Sequence, residues 1–95
     1  MDAKMDKIKK ITMQDYSSLV YIGHVQNQLK SHHYQIEDVM TQGILYTFII
    51  DLKAEVVYQI HCEEIRQQLY NLLQANNEEP VNLISRIKKI LSDFS

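Results

Sequence analysis

Apolar side chains are most regularly spaced towards the two ends of the chain. Leu19, Ile22, Val25 and Leu29 recur at intervals of three and four, with Gln14, Asn27, Gln28 and Lys30 mostly off that face. This spacing predicts an amphipathic helix over about 13–31. Its start is marked by Thr12, a hydroxyl placed to cap the first turn with Asp15 three residues on, and by Ile11 and Tyr16, spaced as a hydrophobic staple. Ahead of it, Met1, Met5 and Ile8 mark a short amphipathic helix or a frayed terminus. In the last third, Cys62, Ile65, Leu69 and Leu72 repeat in the same way, backed by Leu73, until Asn76, Asn77, Glu78 and Glu79 end the pattern. Pro80 suits the opening turn of a final helix, where its missing N–H costs nothing. That helix carries Leu83, Ile87, Ile90 and Phe94 as one stripe, flanked by Val81, Ile84 and Leu91.

Residues 34–62 fit two periods at once. As a helix, Ile36, Met40, Ile44, Thr47 and Phe48 share a face, with Glu37 and Asp38 in a first turn where negative charge is favoured. As strands, Ile44, Tyr46, Phe48 and Ile50 alternate with Leu45, Thr47, Ile49 and Asp51, and Val56, Tyr58 and Ile60 alternate with Val57, Gln59 and His61. The β-branched and aromatic content favours a hairpin. The connecting Leu52, Lys53, Ala54 and Glu55 are helix formers that offer no Gly, Asn or Pro for a tight turn. With only 2 Gly and 1 Pro in 95 residues, the expected fold is all-α: a single domain, 1–95, built as a small bundle of four to five helices. The alternative is α+β, with a β-hairpin at about 44–62 packed against helices.

Composition narrows the setting more than the chemistry. The longest apolar run, 44–50, is far short of the ~20 residues a membrane helix needs, so no membrane span is expected. No h-region follows the N-terminal lysines, and the single Cys62 cannot close an intramolecular disulfide, so a cytoplasmic setting is expected. The net charge of -2 hides two basic ends around an acidic middle, without the strong basic excess of a typical DNA-binding domain.

No pattern points to catalysis or to a cofactor. His61, Cys62 and Glu64 lack the two clustered ligand pairs of a zinc site, and adjacent helical residues diverge by about 100°. His32 and His33 read as an exposed linker, and the amides and imidazoles between His24 and Gln35 are the groups that read bases or phosphates, but without arginines around them. Neither Gly23 nor Gly43 sits in a phosphate-cradling loop, and no serine has nucleophile-elbow context. The chain is therefore expected to be no enzyme, with no catalytic residue, metal or cofactor.

Two functions from different classes remain. The first is a non-enzymatic, small helical protein–protein interaction module, a homodimeric regulator, inhibitor or adaptor acting on a partner protein. Its surface would be apolar material left over from the middle of the chain: Met40, Leu45, Tyr46, Phe48, Ile49, Leu52 and Val56. The second is a small nucleic-acid-binding regulator using Lys7, Lys9, Lys10, Arg86, Lys88 and Lys89, if the two basic ends meet.

Overall fold

The computed structural model describes residues 7–75 and 80–94. The chain order is β1 (Ile8–Ile11), α1 (Met13–Ile22), β2 (His24–Lys30), β3 (Tyr34–Thr41), β4 (Ile44–Asp51), β5 (Val56–Ile60), α2 (Glu63–Gln74) and α3 (Pro80–Phe94). The fold is thus α+β and not a helical bundle. All five strands form one antiparallel sheet in the order β1-β5-β4-β3-β2. The hairpin alternative for 44–62 is correct but too small, since it is the centre of a larger sheet.

Three local features turn the middle of the chain into strands. Gln42 and Gly43 both have positive φ, 52° and 79°, the backbone of a two-residue hairpin turn whose twist matches the flanking strands. Between β4 and β5 the Asp51 carboxylate accepts from the backbone N–H groups of Lys53 and Ala54, at 3.0 Å each. This side-chain turn supplies what Gly or Asn would have supplied. Glu55 completes it at φ 58°.

The helix over 13–31 is real only as far as Ile22. Its start is as expected: Thr12 Oγ1 accepts from the Asp15 backbone N–H at 3.0 Å, and Ile11 and Tyr16 pack against one cluster. Removing that cap by Thr12→Ala is expected to cost about 0.5–2 kcal/mol, with Thr12→Ser nearly neutral; equal losses in urea melts of the two variants would show that the hydroxyl caps nothing. The helix stops at Gly23, where the chain crosses the sheet so closely that a Cβ would stand 2.8 Å from both the Met40 carbonyl oxygen and Val39 Cγ1. No other residue fits that approach without a shift of backbone.

Both faces of the sheet are covered. On one, Ile8, Tyr34, Ile36, Ile49 and Ile60 pack with Ile65, Leu69 and Tyr70 of α2 and Ile87 and Leu91 of α3. On the other, Val39, Phe48, Ile50 and Val57 pack beneath Tyr16, Leu19 and Val20 of α1. Strands sandwiched in this way read as continuous apolar runs, which is why 44–50 looked like excess surface. Among the described residues, no helix is long and apolar enough to cross a membrane.

Candidate functional site

The central polar feature is a pair of consecutive acids on β3 whose side chains leave on opposite faces. Asp38 is fully buried on the α2 face. Its Oδ1 accepts from Thr47 Oγ1 at 2.7 Å and from Arg66 Nε at 3.1 Å, and its Oδ2 from Arg66 Nη2 at 2.6 Å and from Asn27 Nδ2 at 3.1 Å. Burial alone would raise this carboxyl, but the Arg66, Thr47 and Asn27 hydrogen bonds outweigh it and hold it below the usual range. Arg66, raised in turn by its bond to Asp38, also reaches Glu63 at 3.0 Å and lies over the Tyr70 ring. Four donors fill the roughly four lone-pair positions of a carboxylate. The Tyr70 hydroxyl is buried beside this network and is pushed up, first by burial and then by the Asp38 charge.

Glu37 is buried on the α1 face. It accepts from the Tyr16 hydroxyl, from Gln28 Nε2 at 3.0 Å and from Gln35 Nε2 at 3.3 Å. Burial first, then the bond to Glu37, drives Tyr16 far above an ordinary phenol. The two acids thus tie α1, α2 and β2 to the middle of the sheet. They do not occupy the first turn of a helix, and the amides of Asn27, Gln28 and Gln35 donate to them.

At the opposite end of β3, the turns are stapled together. His33 Nε2 lies 3.2 Å from Asp51 Oδ1, and the His33 carbonyl accepts from Leu52 N–H, so His33 is half-buried and no part of an exposed linker. Tyr34 beside it is pushed up to about 12, by burial and then by the Asp51 charge. No group of three or more His, Cys, Asp or Glu side chains is placed to hold a metal among the described residues.

The residues expected at an interface divide sharply. Phe48 and Ile49 are fully buried on opposite faces of β4, so neither offers contact surface. Phe48 meets Tyr16 edge-on at 5.3 Å and stacks with Tyr46 at 6.3 Å. Tyr46 and Leu52 are half-buried against the α1-face cluster, and Val56 is half-buried on β5. Met40 and Leu45 are register partners at the tip of the β3/β4 hairpin, and Leu45 is exposed.

That tip belongs to an apolar end that spacing along the chain could not assemble. Register places His24 beside Met40, Met40 beside Leu45 and Thr41 beside Ile44, and Gly23 brings the end of α1 against Met40. Tyr21, Ile22, Val25, Ile44 and Leu45, between 45% and 90% exposed, are thereby gathered at one end of the sheet. None of them carries a charge.

The basic ends do adjoin: Ile8 of β1 shares a cluster with Ile87 and Leu91 of α3, and Lys7 Nζ lies 5.5 Å over the Phe94 ring. Lys9, Lys10, Arg86, Lys88 and Lys89 are exposed. Lys89 is paired with Asp93 at 3.4 Å, and Arg86 is not free. No family model, no curated protein and no solved structure matches this chain.

Proposed function

We propose that the protein is a small, non-enzymatic interaction module that self-associates through the apolar end formed by Tyr21, Ile22, Val25, Ile44 and Leu45. The observation that carries this reading is the exposure of five large apolar side chains, drawn from α1, β2 and β4, at one end of a sheet whose two faces are otherwise covered. A second copy is the occupant because none of these five side chains is charged and an isologous contact needs only self-complementarity. The exposed area is on the order of 500 Å² per copy, below the ~800 Å² per partner of a standard stable interface. The dimer is therefore weak and concentration-dependent, which suits a regulator or adaptor whose contacts are exchanged. The half-buried free Cys62 fits a reducing, cytoplasmic setting.

Sedimentation tests this directly. The wild type should shift from monomer to dimer as concentration rises to hundreds of micromolar. Ile44→Asp should stay monomeric with an unchanged melting temperature, because Ile44 is 53% exposed and its substitution opens no cavity. A wild type that stays monomeric throughout removes the self-association. The nucleic-acid reading has less support, since Lys7, Arg86 and Lys89 already have partners within the chain and counterion release scales with the cations that remain.

A further inference from the structure

Residues 7–22 form an arm joined to the rest of the described chain at one point. β1 lies at one edge of the sheet and β2 at the other, so α1 runs across the face between them and touches β5, β3 and β2. Since α1 ends at Ile22 and β2 begins at His24, Gly23 alone makes the connection. The body left without the arm is nearly self-sufficient. Strands β2 to β5 pair in chain order, and of the buried side chains that pack with α2 and α3 only Ile8 comes from the arm.

The arm is lightly held, but what it covers is deeply buried. No residue of α1 is buried; beyond the β1–β5 ladder and Ile8, the arm is attached by partial burial of Ile11, Tyr16, Leu19 and Val20 and by the Tyr16 hydroxyl, which donates to Glu37. Elements with few buried contacts open before the rest of a fold. Beneath it lie Val39, Phe48 and Val57 with no exposure, and the Glu37 carboxylate, so leaving this bed in water is costly. An occupant must bring an edge strand for β5, an apolar helix face and a hydroxyl for Glu37. The arm of a second copy brings all three, because it is the same segment. The junction adds an independent observation. Tyr21, Ile22 and Val25, three of the five exposed side chains of the apolar end, flank Gly23. In two copies that exchange arms about a two-fold axis, the two junctions pass each other and these side chains meet their own images. A one-residue connection also leaves the closed form no slack, and it closes only by passing so near β3 that no Cβ is admitted.

We infer that two copies of the protein exchange this arm, so that β1 and α1 of each pack on β5 and the Phe48 face of the other, with Gly23 as the hinge. Arm exchange rests on the self-association proposed above and is its second stage. Weak contact at the apolar end brings two hinges together, and exchange converts that contact into a slowly dissociating dimer. The exchanged dimer repeats the contacts between arm and body found in one chain and adds those between the two junctions. Its dissociation is slow because both arms must detach from their beds first.

The test mixes carbon-13-labelled and unlabelled wild-type chains at the concentration where dimer forms, until the dimer fraction is constant. Isotope-filtered NMR should then show contacts between Tyr16 of one chain and Phe48 of the other, a ring pair 5.3 Å apart within the closed chain. Contacts between chains confined to Tyr21, Ile22, Val25, Ile44 and Leu45 would leave self-association standing and overturn arm exchange; a protein monomeric throughout would overturn both. A covalent readout uses Lys9→Cys and Gln59→Cys, register partners across the β1–β5 ladder, in a Cys62→Ser background. With both substitutions in one chain, oxidation links them. With each on a separate chain, oxidation of the mixed dimer should link the two chains, and failure to do so while the single-chain control closes would overturn the inference. Inserting Gly-Ser-Gly-Ser after Gly23 gives each arm the slack to close on its own body, and should lower the dimer fraction about tenfold with the melting temperature little changed. A dimer fraction equal to that of the wild type in this folded variant would also overturn it.

Discussion

Replacing Arg66 by methionine is expected to lower stability by about 3–5 kcal/mol at neutral pH, because the change leaves a buried carboxylate without its cation. Asp38 is fully buried and Arg66 is mostly so, with side-chain exposures of 0% and 21%, so solvent does little to screen the loss. The pH dependence gives the cause its own signature. In the wild type the folded-state carboxyl sits below its ordinary value, so its stabilisation is present above about pH 4, the unfolded value, and disappears as pH falls through the folded one. In Arg66→Met the same carboxyl keeps only Thr47 and Asn27 as donors, and burial then raises it above the unfolded value. The sign reverses: the folded variant binds the proton more tightly than the unfolded chain, and its stability climbs as pH is lowered from 7 towards 5. Urea melts at the two pH values distinguish these behaviours, and the double variant Asp38→Asn/Arg66→Met should recover part of the loss by removing the buried charge. A single variant that follows the wild-type pH profile would show that Asp38 does not depend on Arg66.

The reasons this network and its sheet were hard to read lie in particular residues. Val25 and Leu29 are four apart, as on one helical face, but the bulge at Gln26 sends them to opposite sides of β2 and leaves each side with one apolar residue among polar ones. Strand alternation was thereby erased, and the well-capped start at Thr12 lent its helix nine residues too many, 23–31. The turn after β4 hid its chemistry in the Asp51 side chain. Gly43 did carry a signal, as the second residue of a two-residue turn between alternating segments, which the helical spacing of Met40, Ile44 and Phe48 obscured.

What was legible depended on a single face being buried. α2 and α3 each cover the sheet with one stripe, so Ile65, Leu69 and Leu72 and then Ile87 and Leu91 stand out at helical spacing. The candidate surface had no such stripe. Met40 and Leu45 were identifiable as apolar anchors, but Tyr21, Ile22 and Ile44 join them only through strand register and the close passage at Gly23. Glu37 and Asp38, adjacent in sequence, gave one hint in hindsight: two acids set between Ile36 and Val39 in a β-branched run must each find a buried partner on their own face.

The sharpest expected contrast is between Phe48 and Ile49, neighbours on β4 with no exposure on opposite faces. A sheet with one wet face would tolerate aspartate at one of the two positions. Here both faces are covered, so Phe48→Asp and Ile49→Asp should each abolish cooperative folding. Loss of the side chain alone costs about 3–5 kcal/mol for Phe and 2–5 for Ile, and an unpaired carboxylate in its place adds several more, against a total stability of roughly 5–15 kcal/mol. Ile44→Asp, on the same strand but at its exposed end, should melt like the wild type. Alanine variants, which retain the fold, resolve the two layers: Phe48 packs against Tyr16, so Phe48→Ala should speed hydrogen exchange chiefly in 13–22, while Ile49→Ala, set among Ile65, Leu69 and Ile87, should loosen α2 and α3. A cooperative melt near the wild-type temperature for either aspartate variant, or alanine effects that fall on the same helices, would contradict a sheet covered on both sides.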